Sequence, residues 1–121
     1  MKKTVIIGAT PNPSRYAYLA AEMLQEYNHE FVPVGIKRGT VFGKEILDLR
    51  SHPEIGNVDT ITLYINPSHQ KEWYDYFFKL KPKRVIFNPG TENPELEKAL
   101  EEKNIQAVEA CTLVLLRSGQ F

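Results

Sequence analysis

Eight consecutive residues near the N-terminus, Gly8-Ala9-Thr10-Pro11-Asn12-Pro13-Ser14-Arg15, have the composition of an anion site built largely from backbone. They follow a short β-branched run, Thr4 to Ile7. They precede Leu19, Ala20, Met23, Leu24 and Tyr27, which fall at helical spacing. A strand, a small-residue turn and a helix in that order bring the free N–H groups and positive dipole end of the helix to the turn, where an anion is favoured. Gly8 lets the backbone approach a phosphate closely, Thr10 and Asn12 offer neutral hydrogen bonds, and Arg15 offers a planar charged fork suited to phosphate oxygens. Gly8 and Ser14 alone carry little weight, because any strand-to-helix turn needs small residues and a cap. Arg15 is what points to phosphate.

The kind of phosphate ligand is narrowed by what is missing. A dinucleotide fingerprint reads G-x-G-x-x-G, and this loop has Gly8, Thr10 and Pro13 at those places, so two of the three glycines are absent. A site for NAD also wants an acid at the end of the second strand to hold the ribose 2′-OH. The sequence has Val34-Gly35-Ile36-Lys37-Arg38 there. Basic residues at that place suit a nucleotide with an extra ribose phosphate, such as coenzyme A or NADP. Lys37 and Arg38 are equally compatible with solvated loop charges.

Positioning such a loop requires a sheet. Beyond the first strand and helix, Asn28 can supply the left-handed residue that stops the helix. Glu30 to Val34 reads as a second strand, and Ile36 to Asn57, with Gly39, Gly43, Pro53 and Gly56, as loop holding a short element at Ile46 and Leu47. Thr60 to Ile65 is the third strand. Asn66-Pro67-Ser68 introduces a helix with Trp73, Tyr76, Phe77 and Leu80 on one side. Val85 to Phe87 is the fourth strand. Asn93 caps a third helix with Pro94 at its first position. Gln106 to Glu109 is the fifth strand, and Thr112 to Leu116 is a short helix or a continuation of that strand.

Alternating strands and helices predict an α/β fold: one Rossmann-like, doubly wound domain over residues 1–121. Its roughly five parallel strands run in the order 3-2-1-4-5 with helices on both faces. Ligands in such sheets bind beyond the carboxyl ends of the strands, where the order reverses. In the expected order that point lies between strands one and four, flanked by the first loop and by Asn88-Pro89-Gly90-Thr91-Glu92.

Little else in the chain suggests chemistry. His29, His52 and His69 stand apart with no metal-ligand spacing, and structural or solvent-facing roles suit them. Cys111 follows the fifth strand, close to the expected pocket, where a thiol could meet a ligand thiol or serve as a small buried hydrophobe. Tyr74 and Phe78, four apart on another side of the aromatic helix, are a candidate homodimer or partner surface. The basic run Lys79, Lys81, Lys83 and Arg84 follows a helix end, where the dipole favours cations.

Composition sets the outer bounds. With 121 residues, 42% hydrophobic, the chain suits one globular domain rather than two. Fifteen basic and fifteen acidic side chains argue against a generally cationic nucleic-acid binder. One cysteine excludes a disulfide framework and a cysteine-rich zinc site, and it suits a reducing cytoplasm. Met1-Lys2-Lys3 before Val5-Ile6-Ile7 imitates a signal peptide, but the apolar stretch ends at Ala9, too soon for secretion. No run is long enough to span a membrane. A cytoplasmic protein is expected.

The residues resemble the small stand-alone coenzyme A-binding proteins, whose domain is similar to the nucleotide-binding domain of succinyl-CoA synthetase α subunits. The resemblance rests on Val5-Ile6-Ile7-Gly8-Ala9-Thr10-Pro11-Asn12-Pro13-Ser14-Arg15 and on Phe31-Val32-Pro33-Val34. The Asn88-Pro89-Gly90 turn, the Glu-rich helix after it and Cys111 extend it over nearly the whole chain. It implies that Gly8, Ala9, Thr10, Asn12 and Arg15 contact the coenzyme A diphosphate and that Pro33 and Val34 lie beside the adenosine. Asn66, Asn88, Pro89, Gly90 and Cys111 complete the candidate set. The family commonly has Asn-Pro where this chain has Gly35-Ile36, and often a basic residue where it has Asn66-Pro67. That difference shifts the expected ribose-phosphate contact to Lys37 and Arg38. The implied function is binding of coenzyme A or an acyl-CoA by a carrier, sensor or regulatory module without catalysis. The alternative is an oxidoreductase or transferase using NADP or another nucleotide.

Overall fold

The computed structural model describes residues 2–121. The first apolar run forms β1 (Lys3–Ile7), buried from Thr4 onward. It leads through the turn into α1 (Tyr16–Glu26), whose Ala17, Ala20, Ala21, Met23 and Leu24 face the interior. Asn28, at φ 63°, ends this helix. The N–H of His29 donates to the Leu24 carbonyl at 2.8 Å and that of Asn28 to Gln25 at 3.1 Å, a Schellman closure. The second strand, β2 (Glu30–Gly35), follows at once.

The stretch expected to be mostly loop holds three very short strands. β3 (Thr40–Val41) and β4 (Lys44–Glu45) make an antiparallel hairpin, and β5 (Leu47–Asp48) pairs in parallel with Val34 and Gly35. The hairpin is fastened down by Phe42, whose ring lies 5.0 Å from that of Tyr18. Lys44 also donates to the Phe31 carbonyl at 2.8 Å. After these come β6 (Thr60–Leu63), two single 3₁₀ turns, α2 (Tyr74–Leu80), β7 (Arg84–Phe87), α3 (Pro94–Glu102), β8 (Gln106–Glu109) and α4 (Thr112–Arg117). Asn93 caps α3 as expected, its Oδ1 accepting from the Leu96 N–H at 3.2 Å.

The α/β, Rossmann-like expectation holds, with a different strand count and order. Six parallel strands run β5-β2-β1-β6-β7-β8. Leu47–Asp48 takes the outer place beside β2 that was expected for Thr60 to Ile65. The latter strand lies in the middle instead, hydrogen-bonded to β1 and β7. Two residues make too short an element to show a hydrophobic period, which is why the outer strand escapes the sequence pattern. The central strand also stops earlier than expected, at Leu63. The Tyr64 N–H still reaches the Ile7 carbonyl at 2.8 Å, but β1 ends there, and the Ile65 carbonyl turns instead to the Gln70 side chain.

Side chains alternate across the sheet and build two cores. Val5, Ile7, Ile61, Leu63, Val85 and Phe87 meet Phe77 and Leu80 of α2 and Leu96 and Leu100 of α3. Ile6 and Phe31 face the other way, onto α1 and onto Leu113 and Leu116 of α4. That packing decides the terminal segment in favour of a helix. Leu113 and Leu116, three apart, reach α1 only on a helical face.

On the α4 side, β6 presents threonines rather than aliphatics, and a buried amide ties them together. Asn88 donates through Nδ2 to Thr62 Oγ1 at 2.8 Å and to the Leu63 carbonyl at 2.9 Å. Its Oδ1 accepts from the Thr112 N–H at 2.9 Å, and the Thr62 and Thr112 hydroxyls lie 2.7 Å apart. One side chain thus joins β6, the end of β7 and the start of α4. Asn88→Ala orphans several buried groups at once and should lower stability by about 2–4 kcal/mol in urea denaturation. A loss below about 1 kcal/mol would mean that water replaces the amide.

Candidate functional site

The carboxyl ends of β1 and β6 are neighbours, and the chain leaves them toward opposite faces, to α1 on one and α2 on the other. The order of the sheet reverses there, which opens a crevice. A cavity of about 720 Å³ occupies it, within the ~300–1,000 Å³ usual for small-molecule sites. One wall is the 8–17 turn, a second the ends of β2 and β5, a third Tyr64 to Trp73, and the last Pro89 to Thr91.

The first turn is held by backbone. The Val34 carbonyl accepts from the N–H groups of both Gly8 (2.9 Å) and Ala9 (3.0 Å). Those two donors are therefore occupied, and Gly8 also shapes the turn itself. At φ 100° it turns the chain against the Tyr64 backbone, where a Cβ would sit 3.0 Å from the carbonyl oxygen. Asn12 then folds the segment on itself, its Oδ1 accepting from the Ser14 N–H (3.0 Å) and Oγ (2.8 Å). Thr10 Oγ1 receives the Asn12 N–H at 3.2 Å. Arg15 precedes α1 without a side-chain cap. Among the described residues its guanidinium joins no ion pair. The first N–H groups of the helix lack intrahelical acceptors by geometry and, with Arg15, make this corner attractive to an anion.

Of the residues expected at the site, Gly8, Ala9, Thr10, Asn12, Arg15, Lys37, Asn66, Pro89 and Gly90 line the cavity. Pro33, Val34, Arg38, Asn88 and Cys111 do not. Pro33 and Val34 are buried in β2 opposite Ile6 and Ile7. Arg38 is exposed beyond the rim. Asn88 is consumed by its three hydrogen bonds, and Cys111 borders a separate, smaller cavity.

Residues 2–117 match the family described as CoA binding domain. The chain belongs to that family. A crystal structure of an uncharacterized protein is 60% identical, with a TM-score of 0.97 over 100% of this chain and 98% of that one. Cell-free ID.343 from Thermus thermophilus is 27% identical, with a TM-score of 0.83 over 99% of this chain and 90% of that one. A conserved hypothetical protein from Pyrococcus furiosus, 22% identical with a TM-score of 0.81 over 94% of this chain and 98% of that one, shares the fold. No match is found among curated proteins.

Within this CoA binding domain the third wall is the part that sequence reasoning missed. Tyr64, Ile65, His69, Glu72 and Trp73 line the cavity because β6 sits beside β1. A strand at Leu47, recognised from its brief apolar pair, would have placed them there. Tyr16 and Ile36, 71% and 56% exposed, stand on the rim as apolar surface next to open space. His52 supports the same wall from behind, stacked 5.3 Å from Tyr76 and edge-on to Trp73 at 5.8 Å. Burial pushes the Tyr64 hydroxyl up to about 12, so it stays protonated at neutral pH.

The two aromatic residues considered for a protein interface have intrachain cover. Tyr74 bonds Asn93 at 2.8 Å and Glu95 at 3.1 Å, and Lys103 lies 4.9 Å over the Phe78 ring. No helix among the described residues is long and apolar enough to cross a membrane.

The closest backbone approach in the site is at Gly35, where an added Cβ would meet the Ala9 carbonyl oxygen at 2.7 Å. Gly35→Ala must push the first turn off β2 and should cost about 1–3 kcal/mol of stability, measured by thermal unfolding. A variant as stable as wild type would show that the turn moves freely.

Proposed function

We propose that the chain binds coenzyme A or an acyl-CoA in the crevice between β1 and β6. It acts as one cytoplasmic module that carries, senses or regulates through its ligand rather than transforming it. The observation that supports this most is Arg15, free of ion pairs among the described residues, at the start of α1 and lining a cavity of about 720 Å³ in a member of the CoA binding domain family. A diphosphate fits the arginine fork and the open first turn of the helix. Thr10 and Asn12 flank it. In this reading Lys37, which lines the cavity just beyond β2, meets the ribose 3′-phosphate, with Arg38 adding charge from outside. Tyr16 and Ile36 offer the rim surface against which a purine would lie.

Calorimetric titration with coenzyme A, dephospho-coenzyme A, NADP and NAD tests the reading directly. Coenzyme A should bind tightest. NADP binding more tightly would replace this proposal with a nucleotide-dependent enzyme. Arg15→Ala should weaken coenzyme A by about 1.5–3 kcal/mol, as loss of a charge-assisted bond does. Unchanged affinity takes Arg15 out of the site. Lys37→Ala should reduce binding of coenzyme A more than of its dephospho form, and Arg38→Ala should do so less. Equal losses for both ligands would remove the ribose-phosphate role.

A further inference from the structure

Two glycines bracket the segment that carries Lys37, and both rest on the first loop. Gly35 lies against the Ala9 carbonyl and, four residues on, Gly39 lies against the Pro11 ring. A Cβ on Gly39 would stand 3.1 Å from Pro11 Cγ and 3.3 Å from Pro11 Cβ, on a backbone at φ 138°. Neither Gly39 nor Pro11 lines the larger cavity, whereas Lys37, Thr10 and Asn12 beside them do. The contact therefore joins the two segments from outside the cavity. Both sides of it are held. The Val34 carbonyl and Asn12 fix the loop. Gly39 stands at the foot of the β3–β4 hairpin, where its carbonyl accepts the Ile46 N–H at 2.9 Å. Buried Val41 and the Phe42 ring on Tyr18 anchor that hairpin in turn.

Between the two glycines, Ile36, Lys37 and Arg38 are exposed, so this short segment is placed by its ends. Arg38 has an acid within range: the Asp48 carboxyl is held low chiefly by hydrogen bonds from Arg50 and further by the charge of Arg38. Lys37 joins no ion pair among the described residues, and it is the cation of the segment that lines the cavity. We propose that Gly39 and Pro11 are positioning residues, whose contact fixes Lys37 relative to Arg15 and so selects nucleotides that carry a 3′-phosphate as well as a diphosphate. This rests on the reading that coenzyme A binds in the larger cavity with its ribose phosphate at Lys37. A lysine is a point charge on a flexible stem, so its selectivity depends on where the backbone holds it. An ordered backbone also lowers the cost of bringing the ammonium to one place. Displacing the segment moves Lys37 and leaves Arg15 and the start of α1 where they are.

The test is the preference for coenzyme A over dephospho-coenzyme A, read by calorimetric titration of the full chain. Lys37→Ala sets the reference and should lower that preference roughly tenfold, the effect of one charge-assisted hydrogen bond. Gly39→Ala, with Lys37 intact, should lower it by about threefold or more while dephospho-coenzyme A affinity stays within about twofold of wild type. In a Lys37→Ala background the same substitution should leave the preference unchanged, because its effect passes through Lys37. Phe42→Ala frees the hairpin without adding bulk beside the loop. It should act in the same direction, and it decides the matter if thermal unfolding shows that Gly39→Ala does not fold. Three results overturn this inference alone when Lys37→Ala behaves as expected: an unchanged preference in the deciding variant, equal losses for both ligands, or the same loss of preference with and without Lys37. Failure of coenzyme A to bind, or a Lys37→Ala variant with the wild-type preference, overturns it together with the reading on which it rests.

Discussion

The carbonyl oxygen of Val34 takes two backbone donors, Gly8 at 2.9 Å and Ala9 at 3.0 Å, and the arrangement of the crevice follows from that junction. It bends the chain leaving β1 across the end of β2, instead of letting it run straight beyond the sheet. The bend is possible only because Gly8 takes a positive φ beside Tyr64 and because Gly35 has no Cβ to meet the Ala9 oxygen. The turn is thereby fixed on both sides, by β2 and by the segment after β6. Arg15 and the start of α1 are carried to the mouth of the cavity as a consequence. Asn12 completes the rigid turn by holding Ser14. A site whose geometry is set by backbone bonds loses little entropy when a ligand arrives.

A second junction, polar and buried, organises the far side. Asn88 links β6, β7 and α4 through groups that would otherwise lie unpaired in the core. It sets the angle at which α4 leaves the sheet, with Cys111 and Leu113 facing the smaller cavity. The Thr62 and Thr112 hydroxyls of the same knot lie beside the enclosed Tyr64 hydroxyl. Gln70 makes a comparable bridge, donating to the carbonyls of Ile65 (2.8 Å) and Thr91 (2.9 Å). It ties together two of the cavity walls. The crevice is thus framed by hydrogen-bonded side chains whose packing partners hold their rotamers in place.

Charge is organised locally rather than globally. The chain has no formal net charge, yet Arg15 and Lys37 stand on the cavity rim while Glu72 is the acidic side chain among the lining residues. Elsewhere the acids gather around α3 and β8. Glu97 has its carboxyl raised by burial and by Glu109 and Glu92 nearby. Separation of this kind lets a neutral protein present a positive face to a phosphate.

Local pattern was enough for the main helices and for most of the sheet. β-branched runs bounded by Gly, Pro and Asn mark buried strands, and Asn28 and Asn93 act as the stop and cap their positions imply. The first loop and Arg15 were equally readable, because turn chemistry is encoded over a few adjacent residues. Strand order was not. It depended on Leu47–Asp48, two residues that form a strand only because Val34 and Gly35 offer open backbone groups beside them. Tyr64, His69 and Trp73 reached the site by that route, and the small cavity by the meeting of β7, α4 and the end of β6. Hydrophobic period and capping act within a few residues along the chain, so sequence carries them directly. Which strands become neighbours is settled by backbone donors and acceptors far apart in the chain, and these find one another only in the folded structure.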